Sequence, residues 1–318
     1  MVVRADRRHD PRPIMLVLRA LKLGDLLVAV PALAALRRAY PRHRIVLATT
    51  GWLEPIVDLV GAVDELVPTP GLSRPIDVGG REVDVAVNLH GCGPESAELL
   101  AALRPRALIA HRPDAPDGPR WVDGMLERER WARLVRAFGA EADADEVRIS
   151  TPAGPPVVSR AAVVHVGAFY GSRRWPAERF AAVARNLAAA GETVVFTGGD
   201  ADRARAVAIA GAAGIGADRV LAGRLGLAEF AAVVASARLL VSVDTGAAHL
   251  ASAYRVPSVV IFGPAPPSEW GPPPGPHVVL TRAELRRGDT FSDEPDPALL
   301  AVHADEVVRA LERLRAGA

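Results

Sequence analysis

Residues 238–263 read Arg-Leu-Leu-Val-Ser-Val-Asp-Thr-Gly-Ala-Ala-His-Leu-Ala-Ser-Ala-Tyr-Arg-Val-Pro-Ser-Val-Val-Ile-Phe-Gly. Leu239 to Val243 is a short apolar run suited to a buried strand, Thr245 to Tyr254 is an Ala-rich helix, and Val256 to Phe262 is a second buried strand. Such a strand, helix, strand unit is the crossover that parallel strands require. It puts Asp244, Thr245 and Gly246 at the carboxyl end of a strand and in the first turn of a helix. Unpaired backbone N–H groups and the positive end of the helix dipole meet there, a combination that attracts phosphate. Gly246 lets a ligand approach the backbone, and His249, about one turn further on, leans over the same place. The same residues also suit an ordinary capped helix, with Asp244 or Thr245 bonded to backbone and His249 a satisfied, partly buried side chain.

The alternation of strand and helix extends over the rest of the chain. Ile14 to Leu18 reads as the first buried strand, followed by a helix from about Leu26 to Ala39 that Pro31 interrupts early. Further strands are expected at Arg44 to Thr49, Glu65 to Val67, Val83 to Asn88, Ala107 to Ala110, Ala161 to Val166 and Thr193 to Thr197. Helices are expected at Trp121 to Phe138, Ala177 to Ala190 and Asp305 to Leu314. This pattern predicts an α/β protein, and 318 residues suit two domains of about 150 each. The chain turns acidic and then proline-rich between Gly139 and Pro156, which marks a linker. The expected division is a flexible tail over 1–13, a first Rossmann-like domain over 14–155, a second over 156–302, and a C-terminal helix within 303–318 that packs back on the body.

Open parallel sheets keep their ligand sites at the carboxyl ends of strands, so polar residues there are the candidates. Gly24 and Asp25 stand at the first strand-to-helix turn, where Asp25 also suits a helix N-cap. Asn88 and His90 end another strand and are candidates for touching a substrate, although a plain loop explains them too. Arg173 and Arg174 lie in a strand-end loop before Pro176 and can grip a diphosphate by paired hydrogen bonds, or remain a solvated pair. Gly198 and Asp202 open the next helix, where acidic residues are expected for dipole reasons alone, so Asp200-Ala201-Asp202 is no argument for a metal clamp.

Composition narrows the function classes. A formal net charge of +1 and the lack of a dense basic run with interleaved aromatics give no reason to expect nucleic acid. Arg4, Arg7, Arg8 and Arg12 read as part of a solvated tail. Cys92 is the one cysteine, so no internal disulfide forms, and its pairing with His90 lacks the spacing of a metal site. No secretory leader and no run of 18 apolar residues is present, which fits a cytoplasmic protein and leaves a peripheral membrane contact open. Lys22 is the one lysine and no Gly-Lys-Ser/Thr occurs, which excludes a Walker A nucleotidase. Gly-X-Gly-X-X-Gly is missing after the first strand, which argues against a dinucleotide oxidoreductase.

Three separated motifs carry a family resemblance: Leu23-Gly24-Asp25 with Leu26-Leu27 and a later Pro31-Ala32-Leu33, Arg173-Arg174-Trp175-Pro176, and Asp244-Thr245-Gly246 running on to the Phe262 to Pro272 segment. Together they resemble glycosyltransferase family 9, the heptosyltransferase family. The resemblance implies a GT-B architecture, two Rossmann-like domains facing across a cleft, with the acceptor on the N-terminal half and a nucleotide sugar on the C-terminal half. It implies an inverting, metal-independent transfer of a heptose-like sugar from an ADP-heptose-like donor to a hydroxyl acceptor, needing no further cofactor; a monomer is expected. It makes Asp25 the catalytic base, while the strand-end positions of Gly24, Asn88 and His90 make them the acceptor-contact candidates. Arg173, Arg174, Gly198, Asp202, Asp244, Thr245, Gly246 and His249 become donor contacts, with Arg173 standing where the family usually has lysine. A nucleotide-sugar hydrolase or epimerase, or a non-catalytic nucleotide-sugar binding protein, would suit the same architecture.

Overall fold

The computed structural model describes residues 10–316, so the tail assigned to 1–13, with Arg4, Arg7 and Arg8, lies mostly outside the described residues. Arg12 within it is paired, reaching Asp10 at 2.7 Å and Asp64 at 3.3 Å. The chain forms two compact units. One comprises the residues up to Lys22, Pro31–Val122 and Arg130–Ala144; the other comprises Leu23–Val30, Asp123–Glu129 and Asp145–Ala318.

The first unit is built on strands β1 (Ile14–Leu18), β2 (Arg44–Thr49), β3 (Glu65–Pro68), β4 (Val83–Asn88) and β5 (Ala107–Ile109), in the sheet order β3-β2-β1-β4-β5. Every pairing is parallel, with Leu16 beside Val46 on one side and Ala86 on the other. Parallel sheets are covered on both faces, and the central strands accordingly carry apolar residues on both. All five residues of β1 and all six of β2 are buried. The expected Leu26 to Ala39 helix is two helices, Leu23–Val28 and Val30–Ala39. Pro31 has no N–H to give and crowds the preceding turn, so the helix breaks at Ala29. That break coincides with the point where the chain returns to the first unit.

The second unit repeats the plan with β6 (Ala162–His165), β7 (Val194–Thr197), β8 (Leu239–Val243), β9 (Ser258–Ile261) and β10 (His277–Leu280), all parallel in the order β10-β9-β8-β6-β7. Its core joins Val164, Phe180, Phe196, Val241 and Ile261 to Val307, Ala310 and Leu311 of the last helix, Ala304–Ala316. Trp175, from the Arg-Arg-Trp-Pro motif, is wholly buried in this core, edge-on to Phe180, and its indole N–H donates to Val302 O at 2.9 Å. Pro176 occupies the position just before the first turn of the helix Ala177–Ala189 and makes no side-chain cap.

The expected Trp121 to Phe138 helix is shorter, Glu127–Ala137. Gly124 takes a left-handed φ of 69°, which a continuing helix does not allow. Trp121 instead joins a cluster in which its half-buried ring meets buried Trp131 and His111 edge to face. Among the described residues, no helix is long and apolar enough to cross a membrane.

Candidate active site

In the second sheet the chain order reverses between β6 and β8, neighbours from which the later strands run outward in opposite directions. Ligands of open α/β sheets sit at such a switch point, outside the carboxyl ends of the strands. The loop after β6 carries Arg173, and β8 runs into Asp244. They meet across the switch: Arg173 Nη1 donates to the backbone oxygen of Asp244 at 3.1 Å and stands 3.2 Å from its Oδ2. The N–H is aimed at the carbonyl, so the carboxylate contact is an ion pair by proximity, and Oδ2 accepts no hydrogen bond among the described residues. Asp244 is nearly fully buried, and a buried carboxylate needs this compensating cation.

Thr245 is the N-cap of the helix Gly246–Tyr254, but its side chain does not cap it. The hydroxyl turns back to Ser242 Oγ at 3.0 Å and to Val243 O at 3.3 Å. The N–H groups at Gly246 and Ala247 therefore lack both an intrahelical carbonyl and the usual side-chain acceptor, an arrangement that suits an anion.

The short helix Leu23–Val28 packs against this same turn. A Cβ on Gly24 would stand 2.9 Å from His249 Cδ2 and 3.9 Å from Gly246 Cα, and a Cβ on Gly246 would stand 2.8 Å from Leu23 Cδ2. Two glycines thus set how closely the helices approach, and Asp25 shares the second unit with His249. His249 Nε2 lies 3.8 Å from Asp244 Oδ1. Burial pushes the His249 imidazole below its ordinary range, assisted by Arg173 and Arg128 and opposed by the Asp244 and Asp25 carboxylates. A neutral imidazole so placed has one nitrogen to donate and one to accept.

Gly198 and Asp202 lie together with Gly167 and His165 beyond β6 and β7. Asp202 Oδ2 accepts from the Gly199 N–H at 2.9 Å, and a Cβ on Gly167 would stand 2.7 Å from the same oxygen. His165 Nδ1 is 3.0 Å from Thr197 Oγ1, its ring lies 5.4 Å from that of Phe230, and burial holds its pKa down at about 4. Arg174 is exposed, unlike Arg173.

In the first unit, β1 and β4 flank the corresponding switch point. Asn88 is fully buried there; its amide donates to Ser96 Oγ at 3.0 Å and its carbonyl accepts from the His90 N–H at 3.0 Å. His90 Nδ1 in turn accepts from the Ala20 N–H at 3.2 Å. Asn88 therefore shapes the loop that carries His90.

Local sequence gave no warning of Arg128, which reads as one charge among many on the outer face of a helix. It is buried, and its guanidinium donates to Gly271 O at 2.6 Å, Pro272 O at 3.3 Å and Asp145 Oδ1 at 3.0 Å. It thereby fixes the proline-rich loop after Trp270, whose ring lies 6.3 Å from that of His249. Arg128, His249, Leu27 and Ser252 line one small cavity. Among the described residues, no group of three or more His, Cys, Asp or Glu side chains is arranged to hold a metal ion.

The model of glycosyltransferase family 9 (heptosyltransferase) matches residues 96–295, a span that includes the Arg173 loop, Asp202 and the Asp244 to His249 turn. The chain belongs to glycosyltransferase family 9. It is 23% identical over 311 residues to lipopolysaccharide heptosyltransferase 2 of Salmonella typhimurium strain LT2, with 84% of this chain and 89% of the relative covered. The crystal structure of the family 9 glycosyl transferase from Veillonella parvula DSM 2008 superposes with a TM-score of 0.79 at 20% identity, covering 96% of this chain and 98% of the other. The E. coli heptosyltransferase WaaC with ADP superposes with a TM-score of 0.71 at 18% identity, covering 95% and 99%. The fold is the GT-B architecture, and the chain is a glycosyltransferase. Gly24, Asp25, Asn88 and His90 precede the matched span, so their roles rest on the residues themselves.

Proposed function

We propose that this family 9 glycosyltransferase moves a heptose-like sugar from an ADP-linked donor to a hydroxyl of a glycan, glycolipid or natural-product acceptor, with inversion at the anomeric carbon. One observation carries the reading: the helix bearing Asp25 is packed through Gly24 onto His249, beside the uncapped helix start at Thr245 and Gly246. A carboxylate and an anion cradle are thereby held in one compact unit, although their residues lie far apart in the chain. The names of the relatives, lipopolysaccharide heptosyltransferase 2 and a heptosyltransferase with ADP, support the choice of donor.

In this reading Asp25 takes the proton of the acceptor hydroxyl as its oxygen bonds to the anomeric carbon. The bond from that carbon to the distal phosphate oxygen breaks, and ADP leaves with the electron pair. Negative charge growing on the diphosphate is met by the N–H groups of Gly246 and Ala247, by Arg174, and by a hydrogen bond from neutral His249. Arg173 acts from behind, neutralising Asp244 so that the carboxylate does not repel the donor. Asp202 and Gly198 border the nucleoside, while Asn88 shapes the loop of His90, an acceptor-contact candidate on the first unit. With Cys92 as its one cysteine, the enzyme suits a reducing cytoplasm.

The test compares thermal stabilisation by ADP, UDP, GDP and dTDP, then turnover with ADP-heptose. A ligand at ~100-fold its dissociation constant adds about 2.7 kcal/mol to stability. ADP is expected to stabilise most, and Asp25→Asn to keep ADP affinity while losing transfer. Selective stabilisation by UDP or dTDP, or near-normal transfer by Asp25→Asn, would remove the donor and the base respectively.

A further inference from the structure

The 171–176 loop is tied down on both sides of one arginine. Ser172 N–H donates to Ser292 O at 2.8 Å, Ser172 Oγ donates to Thr290 O at 2.9 Å, and Asp296 N–H donates to Ser172 O at 3.1 Å. A Cβ on Gly171 would fall 1.7 Å from Asp293 O, so only glycine admits this approach. Arg173 is held by Asp244, and the Trp175 indole by Val302 O. The side chain of Arg174 is the exception: it is exposed and makes no hydrogen bond or ion pair among the described residues. A loop so anchored presents that one charge outward, at the strand-end face where open parallel sheets bind their ligands.

Arg205 supports this loop from the neighbouring helix, Arg203–Ala212. Its Nη2 donates to the backbone oxygen of Trp175, the residue after Arg174. The side chain is half-buried, and its Nε is sealed from solvent with no hydrogen-bond partner among the described residues, which is destabilising. Burial holds the Arg205 guanidinium below its ordinary range; the Arg174 charge adds to the effect, and the Asp202 and Glu178 carboxylates oppose it. Neither carboxylate forms an ion pair with it among the described residues: Asp202 Oδ2 accepts from the Gly199 N–H at 2.9 Å, and Glu178 is exposed. Two arginines brought together without a bridging carboxylate repel each other until an anion lies alongside. Fold stability gains little from this arrangement, whereas anion recognition gains a preset charge. We infer that Arg205 is a positioning residue for the donor's diphosphate: it fixes the Trp175 carbonyl and, by like-charge repulsion, keeps the Arg174 guanidinium extended toward the phosphates. Without it Arg174 is left to turn toward the Asp202 and Glu178 carboxylates. The inference rests on the sugar-transfer reading, and it assigns to a residue outside the three motifs part of the preference for a nucleoside diphosphate over the bare nucleoside.

Titration calorimetry on the full chain with ADP and with adenosine tests this, in wild type, Arg174→Met, Arg205→Met and the double variant. The readout is the ratio of the two affinities, which a general loosening of the fold does not move. The ratio should fall at least about fivefold in each single variant, and the double variant should fall little further than Arg174→Met, because Arg205 acts through Arg174. An equal loss of ADP and adenosine binding in Arg205→Met, leaving the ratio at its wild-type value, overturns the assignment, and so do losses that simply multiply in the double variant. Arg205→Gln keeps an amide donor and removes the charge; it replaces Arg205→Met, with the same outcomes, if urea unfolding shows that the methionine variant does not fold. Wild type that prefers another nucleotide counts against the ADP donor alone, because the ratio is then read with that nucleotide and its own nucleoside. Wild type with no preference for the diphosphate removes the anion cradle from the sugar-transfer reading, and the role of Arg205 with it.

Discussion

Gly24 faces His249 at a spacing only glycine fits: the centre of a Cβ on Gly24 would lie 2.9 Å from the imidazole Cδ2, inside van der Waals contact. This approach joins the turn bearing Asp25 to the first turn of the Gly246–Tyr254 helix. Gly24→Ala should therefore push the helices apart, at about 1–3 kcal/mol of overpacking cost, and reduce transfer more than ADP affinity. His249→Ala removes the obstructing ring, so Gly24→Ala should cost less in that background. A double-mutant cycle of urea midpoints measures the difference; additive costs would mean that the two residues are not coupled.

Arg173 and Arg174 are adjacent in sequence and differ in role. Arg173 sits against buried Asp244, and Arg174 is exposed. Arg173→Met leaves a buried carboxylate without its cation and should destabilise the protein by about 3 kcal/mol, whereas Arg174→Met should change stability by less than about 1 kcal/mol. ADP affinity should suffer in Arg174→Met even so. Equal stability losses in the two variants, measured by urea unfolding, would contradict the division.

Four histidines make folding stability fall with acid: His249, held below its ordinary range, and three more. Burial pushes His111, His165 and His277 down to about 4, with Arg130 and Arg133 also acting on His111, Arg255 on His277, and Asp202 opposing the effect on His165. In the unfolded chain these groups titrate near 6.5. Below that pH the unfolded state binds protons that the folded state refuses. The stability they confer is thus complete above 6.5 and is lost as pH falls toward 4. The urea midpoint should drop between pH 7 and pH 5.

His111 sharpens that expectation, because neither ring nitrogen finds a hydrogen-bond partner among the described residues although the side chain is buried between Trp121 and Trp131. His111→Phe removes two unmet polar groups while keeping an aromatic ring, a change that is neutral or stabilising when shape is preserved. The variant should match wild type at pH 7 and exceed it at pH 5. A pH dependence as steep as that of wild type would show that His111 does not contribute.

Arg128→Met should loosen the Gly271–Pro272 turn, since each hydrogen bond from a charged donor contributes about 1.5–3 kcal/mol. Removing its charge also removes one of the influences that hold the His249 proton affinity down, so the acid limb of the activity profile should move to higher pH. Arg128→Lys, which keeps the charge but not the fork, should restore the profile more than the stability. An unmoved acid limb in Arg128→Met would confine the residue to holding the loop.

The periodicity of apolar residues, a property of neighbours along the chain, determined nine of the ten strands among the described residues, leaving His277–Leu280 unread, together with the parallel packing and the placement of Asp25, Arg173 and Asp244 at strand ends. The same short-range signal reached too far at Leu26 to Ala39 and at Trp121 to Phe138, where Pro31 and Gly124 break helices that the apolar spacing alone would continue. Tertiary structure decided which polar groups meet. That Leu23–Val28 joins the second unit, that Arg173 turns inward to Asp244, that Arg128 holds a loop beyond Trp270, and that the 290–296 segment braces Ser172 all depend on packing between residues remote in sequence. A side chain's local spacing fixes the face it occupies, but its partner is set by which surface is packed there and how closely glycines let it come.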